Sequence, residues 1–345
     1  MTDLIARLGL QYPIIQAPMA GTSTPALAGA VSNAGGLGSL GLGSVDATKG
    51  RAMIEAAAGL TNRAFNINLF CHRPPVRDDA GDARWIEALK PEFSKFHANP
   101  PAALREIYQS FVADPEMLQM LLETRPKVVS FHFGLPPAGT IKALNDAGII
   151  LFASATNLDE AVAVQNAGID AVVAQGYEAG GHRGIFDPDS SDTQLSMLAL
   201  TELLVERMSI PVIAAGGIMN GACIAAVLRL GAVAAQLGTA FIGCPESDAD
   251  QGYRAALKSD AANHTVMTKA ISGRPARCLS NRFTALDSSA IAAYPRAYDI
   301  GKALNAAAKT EGEYGYGAQW AGQGAPLARF MPAADLVATL VREMN

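Results

Sequence analysis

Short runs of small and β-branched apolar residues alternate with longer amphipathic segments along most of this chain. Each run has the length of a buried strand, and each segment has the apolar spacing of a helix that packs on a sheet. The pattern predicts eight buried strands, at residues 14–20, 37–41, 64–70, 128–134, 149–155, 171–176, 211–216 and 234–241.

The helices predicted between these strands often end in an Asn/Asp-Ala-Gly pattern, whose glycine fits the left-handed residue that closes a helix. These glycines are Gly35, Gly148, Gly168 and, in a variant of the pattern, Gly231. Representative helices are predicted at residues 24–34, 137–147, 157–167 and 220–229. Repeated βα units with short connections favour a parallel sheet, and eight parallel strands close a barrel. The predicted fold class is therefore α/β, a (β/α)8 TIM barrel.

Two regions are predicted to lie outside the barrel that residues 1–70 and 128–245 form. Residues 71–127 read as a helical insertion after the third strand, and residues 246–345 as a C-terminal extension that closes over the active site and ends in a helix near 332–343. Because the insertion follows the C-terminal end of a strand, it lies at the catalytic face of the barrel. Two interpretations of it stay open: a lid over the site, or a decoration on the side of the barrel.

Composition and charge narrow the class of protein. The chain has 345 residues, half of them apolar, and a net charge of −5, so it can bury a large core and gives no electrostatic reason to bind nucleic acid. The N-terminus lacks the features of a signal peptide, and polar residues interrupt the longest alanine-rich stretch, so no membrane association is expected. A cytoplasmic protein with reduced thiols and no metal site is predicted, because four cysteines lack metal-ligand spacing: Cys71, Cys223, Cys244 and Cys278.

One motif is rejected. Gly36, Gly38 and Gly41 match the GxGxxG pattern of dinucleotide-binding proteins. That fingerprint has to follow a strand and open a helix, whereas these glycines follow a predicted helix and form a strand. Small residues on a barrel strand explain the match.

A phosphate site is predicted at the ends of the last two strands. One apolar run ends in Gly216-Gly217 and the next in Gly238-Thr239, so each strand end exposes main-chain N–H groups without a side chain in the way. In TIM barrels the usual phosphate site follows the last two strands. A phosphorylated ligand or cofactor is therefore expected here.

The segment AQGYEAGGHRG at the end of the sixth predicted strand contains more candidate functional residues than any other part of the chain. The amide of Gln175 can donate to and accept from the edge of a heterocycle, and Gly180-Gly181 lets a ligand lie against the main chain. His182 is placed where an imidazole can take or give a proton. The alternative is a glycine-rich loop with an incidental histidine.

Other strand ends add weaker candidates. His132 ends the fourth strand and either faces the same cavity or is a hydrogen-bonded core histidine. Asn68 is an amide within an apolar run, so it has to bind either the main chain or a ligand. Pro18 and Met19 follow the first strand and either line the barrel mouth or fill space. The remaining histidines have no comparable setting: His72, His97 and His264.

Taken together, these segments resemble the nitronate monooxygenases, formerly called 2-nitropropane dioxygenases, and in particular their class I group. The resemblance runs from about residue 12 to the C-terminus and is carried by an ordered set of motifs: QAPMAG, NAGGLGSLG, FNINLF, SFHFGLPP, QGYEAGGHRG, AAGGI, QLGTAF, AYDIGKALNAAA and QWAGQGAPLAR.

The resemblance implies an FMN-bound barrel that oxidises alkyl nitronates, such as propionate 3-nitronate, with O2 to an aldehyde or ketone and nitrite. It implies that His182 is the active-site histidine and that the substrate pocket includes Tyr108, His132, Tyr298 and Lys302. The flavin contacts that it implies, together with those predicted above, are Pro18, Met19, Asn68, Gln175, Gly180, Gly181, Gly216, Gly217, Gln236, Leu237, Gly238 and Thr239.

Two alternatives remain open at this stage. One is an FMN-dependent NAD(P)H:quinone or enoyl-thioester reductase on a similar barrel, and the other is a flavin-binding protein without turnover. The expected partners are a small-molecule nitronate and O2, and the expected assembly is a monomer or a homodimer.

Overall fold

The computed structural model describes residues 4–345. Its strands are β1 (Ile14–Gln16), β2 (Gly38–Gly41), β3 (Phe65–Phe70), β4 (Val128–His132), β5 (Ile150–Ala155), β6 (Ala171–Gln175), β7 (Gly181–His182), β8 (Val212–Ala215), β9 (Ala234–Leu237), β10 (Thr265–Thr268) and β11 (Ala276–Leu279). Eight of them are parallel and form a barrel in the order β1-β9-β8-β6-β5-β4-β3-β2, and a main-chain bridge between Ile15 and Leu37 brings the two ends of this order together.

Helices follow the barrel strands as the sequence predicts, and the (β/α)8 TIM barrel is confirmed. The α-helices are α1 (Leu4–Leu8), α2 (Pro25–Asn33), α3 (Ala47–Ala58), α4 (Asp79–Ser94), α5 (Pro115–Thr124), α6 (Ala138–Asp146), α7 (Leu158–Asn166), α8 (Met197–Arg207), α9 (Gly221–Arg229), α10 (Thr239–Ile242), α11 (Gln251–Leu257), α12 (Arg296–Thr310) and α13 (Ala333–Glu343). Short 3-10 helices cover Phe111–Ala113, Asp260–Asn263 and Ala325–Leu327.

Local signals in the sequence explain several of these boundaries. The Thr24 side chain accepts a hydrogen bond from the Leu27 N–H, so it caps α2, and Pro25 opens the helix. All four glycines of the Asn/Asp-Ala-Gly pattern have positive φ, between 77° at Gly148 and 101° at Gly231. The helix ends predicted from this pattern are confirmed.

Two predicted strands differ most from the observed ones, each by four residues. β1 ends at Gln16, although the apolar pattern extended the strand to residue 20, and β9 ends at Leu237. Thr239–Ile242 forms the short helix α10 instead of strand, and its residues are buried. A short apolar run is compatible with a buried strand or a buried helix, so periodicity alone does not find this boundary.

The lower half of the barrel is filled with apolar side chains. Leu4 and Leu8 of α1 belong to the same buried cluster as Ile15, Phe152 and Ile213 of the strands. The helix therefore closes the N-terminal end of the barrel and leaves the C-terminal end for a ligand.

The last helix of the extension completes the outer helical layer. α13 packs against α2 and α9, and its Leu336 and Leu340 share a buried cluster with Leu27 and Val227 of those helices. The segment between α10 and α13 thus leaves the barrel and returns to it. In the same way, α5 of the 71–127 segment packs on α3 and α6 as a barrel helix.

The remaining parts of the insertion and of the extension pack on each other. Trp85 and Phe93 of α4 lie in one buried cluster with Ile300 and Leu304 of α12, and Arg296 forms an ion pair with Asp82. Next to them, β10, β11 and β7 form a small antiparallel sheet that the sequence did not predict. We call the packed parts of the insertion and of the extension, which include α4, β10, β11 and α12, the cap; β7 belongs to the segment that follows β6. No helix within residues 4–345 has the length and apolar character needed to cross a membrane.

Leu336 tests the role of α13. The side chain is fully buried, so Leu336→Ala should lower the free energy of unfolding by about 2–5 kcal/mol. Arg342→Ala, on the exposed side of the same helix, should change it by less than about 0.5 kcal/mol. Urea denaturation measures both values. Equal effects of the two substitutions would contradict the packing of α13 as a barrel helix.

Candidate active site

A cavity of about 610 Å³ opens at the C-terminal ends of the barrel strands, within the range of ligand sites in proteins. Its floor is formed by strand ends, and its roof by residues of α12 and of the 316–320 segment from the cap. Most of the site residues predicted from the sequence line it: Pro18, Met19, Asn68, Tyr108, His132, Gln175, Gly180, Gly181, His182, Gly216, Gly217, Gln236, Gly238, Thr239, Tyr298 and Lys302.

Leu237 is the exception. Its side chain is buried in the cluster between the barrel and α2, α9 and α13, outside the cavity wall. Successive side chains of a strand point to opposite faces, so Gln236 faces the cavity and Leu237 faces the helices. The main chain of Leu237 is also occupied, because its carbonyl accepts a hydrogen bond from the Ala17 N–H.

Two barrel side chains hold the main chain of His182. Gln175 Nε2 and His132 Nε2 lie 3.0 Å and 3.2 Å from the carbonyl oxygen of His182, and Gln175 Oε1 accepts from the Gly184 N–H at 2.7 Å. His132 Nε2 must therefore carry a proton, and Nδ1 accepts from Ser154 Oγ at 2.9 Å. These polar groups thus bind the main chain of the His182 segment. For His132 this is the hydrogen-bonded alternative that the sequence left open, whereas the Gln175 amide was predicted to bind a heterocycle.

Arg183 fixes the other side of the loop. Its guanidinium is almost fully buried and forms a two-point ion pair with Asp192, at 2.8 Å and 3.0 Å. It also donates to the carbonyl oxygens of Gln175 and Thr156. Such fork-shaped pairs fix orientation as well as charge, so His182 is attached to a rigid segment.

The imidazole of His182 sits among aromatic rings. The Trp320 and Phe133 rings lie 5.1 Å and 5.5 Å from it between centroids, and Tyr294 lies at 5.6 Å. Phe133 has φ of 71°, a conformation that a bulky residue adopts only under constraint, and such strain is common at functional sites. The surroundings of the imidazole are therefore largely aromatic.

Burial keeps three histidines unprotonated. It lowers the pKa of His182 to about 3, with further contributions from His132 and the Arg274 guanidinium. Burial likewise lowers the pKa of His132 and of His72 to about 4. At neutral pH all three rings are uncharged, so His182 is able to accept a proton.

Positive charge enters the cavity from α12. Lys302 Nζ lies 4.9 Å and 5.4 Å from the ring centroids of Tyr108 and Tyr298, over both faces. The ion pairs formed by residues 4–345 do not include this ammonium group, and its partial burial against the two rings lowers its pKa. The side chain is otherwise exposed at the cavity, so an anion that enters the cavity can pair with it.

Main-chain donors are available at the opposite end. Gly216 and Gly217 have φ of 126° and 69°, conformations that glycine adopts without strain. Among residues 4–345, the N–H groups of Gly216, Gly217 and Gly238 donate to no acceptor. Three free N–H groups at one end of a cavity suit an anionic group such as a phosphate.

The side-chain amide of Asn68 uses its nitrogen in hydrogen bonds within the barrel and leaves its oxygen free among residues 4–345. Its Nδ2 donates to the Ser130 carbonyl and hydroxyl oxygens at 3.2 Å and 3.0 Å. The Oδ1 atom accepts no hydrogen bond from the described part of the chain and remains available to a donor in the cavity.

The sequence reasoning missed several groups that the cap brings to His182. Ser272 Oγ lies 2.8 Å from His182 Nε2, and the Trp320 ring packs against the imidazole. Arg274 lies over the Phe133 ring at 4.3 Å, and Tyr253 lines the cavity. A segment such as QWAGQGA signals a loop, but no local pattern places a cap loop against a particular barrel strand.

Fold and site together define a TIM-barrel protein whose aromatic-lined cavity combines a neutral histidine, an ammonium group without an ion-pair partner within residues 4–345 and bare main-chain donors. The family model described as nitronate monooxygenase matches residues 1–343. The chain belongs to the nitronate monooxygenase family.

Individual relatives agree with this assignment. The chain is 60% identical to a nitronate monooxygenase of Paraburkholderia phytofirmans, over 99% of this chain and 94% of that one. It is 54% identical to a nitronate monooxygenase of Pseudomonas aeruginosa over the full length of both chains. Among solved structures, a nitroalkane oxidase from Streptomyces ansochromogenes superposes with a TM-score of 0.91 at 40% identity, covering 99% of this chain and 97% of that one.

The buried histidines predict a pH dependence of stability. Below about pH 6.5 these histidines are protonated in the unfolded chain, whereas in the folded chain they are protonated only near their lower pKa values. The free energy of unfolding should therefore fall as the pH drops from about 6.5 to 4, and the slope contributed by each histidine is at most about 1.4 kcal/mol per pH unit. Urea denaturation across this window measures the slope, and His72→Asn should reduce it. A stability independent of pH in this window would contradict the prediction.

Proposed function

We propose that this protein oxidises alkyl nitronates, of which propionate 3-nitronate is an example, with O2 and bound FMN, giving an aldehyde or ketone and nitrite. Family membership and the likeness to a nitroalkane oxidase support oxidation of a nitro compound.

The free main-chain donors support a flavin phosphate. A Cβ atom at Gly238 would lie 3.5 Å from Ala17 and touch little else, so the space in front of this residue is open. Gly216, Gly217 and Gly238 would hold the phosphate of FMN through their N–H groups. Asn68 and the Pro18-Met19 segment would then face the flavin ring.

The position of the Lys302 ammonium group is the observation that best supports a nitronate as the substrate. A nitronate is a delocalised anion, and the ammonium of Lys302 has no carboxylate partner within residues 4–345. Tyr298 lies between this cation and His182, because its ring centroid lies 5.4 Å from Lys302 Nζ and 6.2 Å from the centroid of the His182 ring. Lys302 would bind the charged end of the substrate, and the rings of Tyr108 and Tyr298 would pack beside it.

When bound, FMN supplies the electron acceptor for the substrate and passes electrons on to O2. A nitronate is already electron-rich and needs no base, so His182 would orient it. A neutral nitroalkane first has to lose a proton from carbon, and the unprotonated imidazole of His182 can accept it. The imidazolium would lie beside the nitronate anion formed in the same step, and that opposite charge raises the pKa of His182 in the complex.

Turnover by the purified protein tests this function. We expect a yellow protein that releases nitrite from a nitronate and consumes O2 without NAD(P)H. The reductase alternative predicts instead that NADH bleaches the flavin anaerobically and that nitronates release no nitrite. A flavin-binding protein without turnover would show neither reaction.

Gly238→Val tests the phosphate site. The backbone conformation of Gly238 is open to other residues and its surroundings have room, so the variant should fold, yet the added methyl groups would occupy the place of the phosphate. We expect the purified variant to lose most of its flavin absorbance. Gly139→Val, at an open position on α6, should retain it. Full flavin content in the Gly238 variant would contradict the assignment.

A further inference from the structure

His182 makes one side-chain hydrogen bond among the described residues, and it goes to the cap. Ser272 Oγ lies 2.8 Å from His182 Nε2. The serine is 1% exposed and belongs to the loop between β10 and β11, so this contact crosses from the cap to the barrel end. The other ring nitrogen, Nδ1, makes no hydrogen bond within residues 4–345, and His182 lines the cavity.

The direction of this hydrogen bond follows from the neighbouring main chain. Ser272 has one hydroxyl hydrogen, and Oγ also lies 3.2 Å from the carbonyl oxygen of Arg274. That carbonyl belongs to a residue that is 3% exposed, and the described chain offers it no other donor. Leaving a buried carbonyl unpaired is costly, so the hydroxyl hydrogen goes to Arg274 and Oγ accepts from His182.

We propose that Ser272 is a positioning residue that holds His182 in the tautomer with a proton on Nε2, so that Nδ1 is the atom that removes a proton from a neutral nitroalkane. This inference rests on the function proposed above, in which His182 is the base, and it assigns that role to one ring nitrogen in one orientation. Nothing in the sequence motif around His182 assigns that atom.

The loop is built to hold Ser272 in this place. Gly273 has φ of 90°, and a Cβ atom there would lie 2.7 Å from the Tyr294 main-chain nitrogen and 2.8 Å from the Ala292 carbonyl oxygen. The N–H of Gly273 donates to the Lys269 carbonyl at 2.8 Å, and an Arg274 guanidinium nitrogen donates to the Ile185 carbonyl at 2.5 Å. The turn is thus fixed on both sides of Ser272.

The proposed step balances without another reactant. The bond between carbon and hydrogen in the nitroalkane breaks, a bond between Nδ1 and hydrogen forms, and the electron pair stays on the substrate as a nitronate. His182 becomes an imidazolium whose Nε2–H still donates to Ser272 Oγ, and the Ser272 hydroxyl still donates to the Arg274 carbonyl. The carbonyl dipole therefore stabilises the positive charge through the serine.

Nitrogen NMR of the flavin-loaded protein, labelled with 15N-histidine, measures the tautomer directly. The chain has five histidines, and His182→Asn assigns the signals of interest. We expect Nε2 of His182 to be protonated and Nδ1 to be unprotonated in the unmodified protein, and Ser272→Ala to give a mixture of the two tautomers. An unmodified protein with the proton on Nδ1 would overturn the proposal.

Kinetics separates positioning from a general structural role. For Ser272→Ala, kcat/KM for a neutral nitroalkane should fall by about tenfold to a hundredfold more than kcat/KM for the corresponding nitronate, because only the former needs a base. Ser32→Ala, which also removes a buried serine hydroxyl, should affect both substrates equally. Equal losses for both substrates in the Ser272 variant would overturn the proposal.

The two proposals fail in different ways. If the unmodified protein releases no nitrite from nitronates, the proposed function fails, whereas the tautomer measured by NMR is unaffected. If nitronates are oxidised and His182→Asn turns over neutral nitroalkanes normally, the function stands and the assignment of the base to His182, with Ser272 as its positioning residue, is wrong.

Discussion

Closure of the barrel is the constraint from which the site follows. β1 pairs with β9, and a bridge from Ile15 to Leu37 joins it to β2, so the first and the last strands are neighbours. The end of β1, with Pro18 and Met19, therefore lies beside Gly238 in the same cavity, although about 220 residues separate them. Without closure, the bare main-chain donors of the last strands would form an open edge instead of one end of an enclosed site.

The cap supplies the second half of the site, above the ends of the barrel strands. Its core is shared between α4 of the insertion and α12 of the extension, so neither segment buries its apolar side chains alone. This packing places Lys302 and Tyr298 over the strand ends and Ser272 against His182. Burial by this packing lowers the pKa values of the cavity histidines, so the imidazoles are neutral, and it leaves the ammonium of Lys302 at the cavity without an ion-pair partner among the described residues.

The sequence alone determined the barrel and its ligand end. Eight apolar runs, helix-closing glycines and the Gly216-Gly217 and Gly238-Thr239 pairs are local features, and each has a direct physical reason in strand burial, helix termination or main-chain exposure. They were sufficient to find the fold and the strand ends that line the cavity. The resemblance to a family was required for four further residues, because nothing in their local sequence distinguishes them from surface or core residues: Tyr108, Gln236, Tyr298 and Lys302.

Tertiary structure alone decided how those residues are used. It turned the Gln175 amide and the His132 ring toward the main chain of His182, turned Leu237 away from the cavity, and brought Ser272 to the imidazole. A local pattern reports periodicity and conformational preference, but a hydrogen bond depends on distances between segments that are remote in the chain. Those distances were set by barrel closure and by cap packing, so the chemistry of each predicted residue became readable only once both were in place.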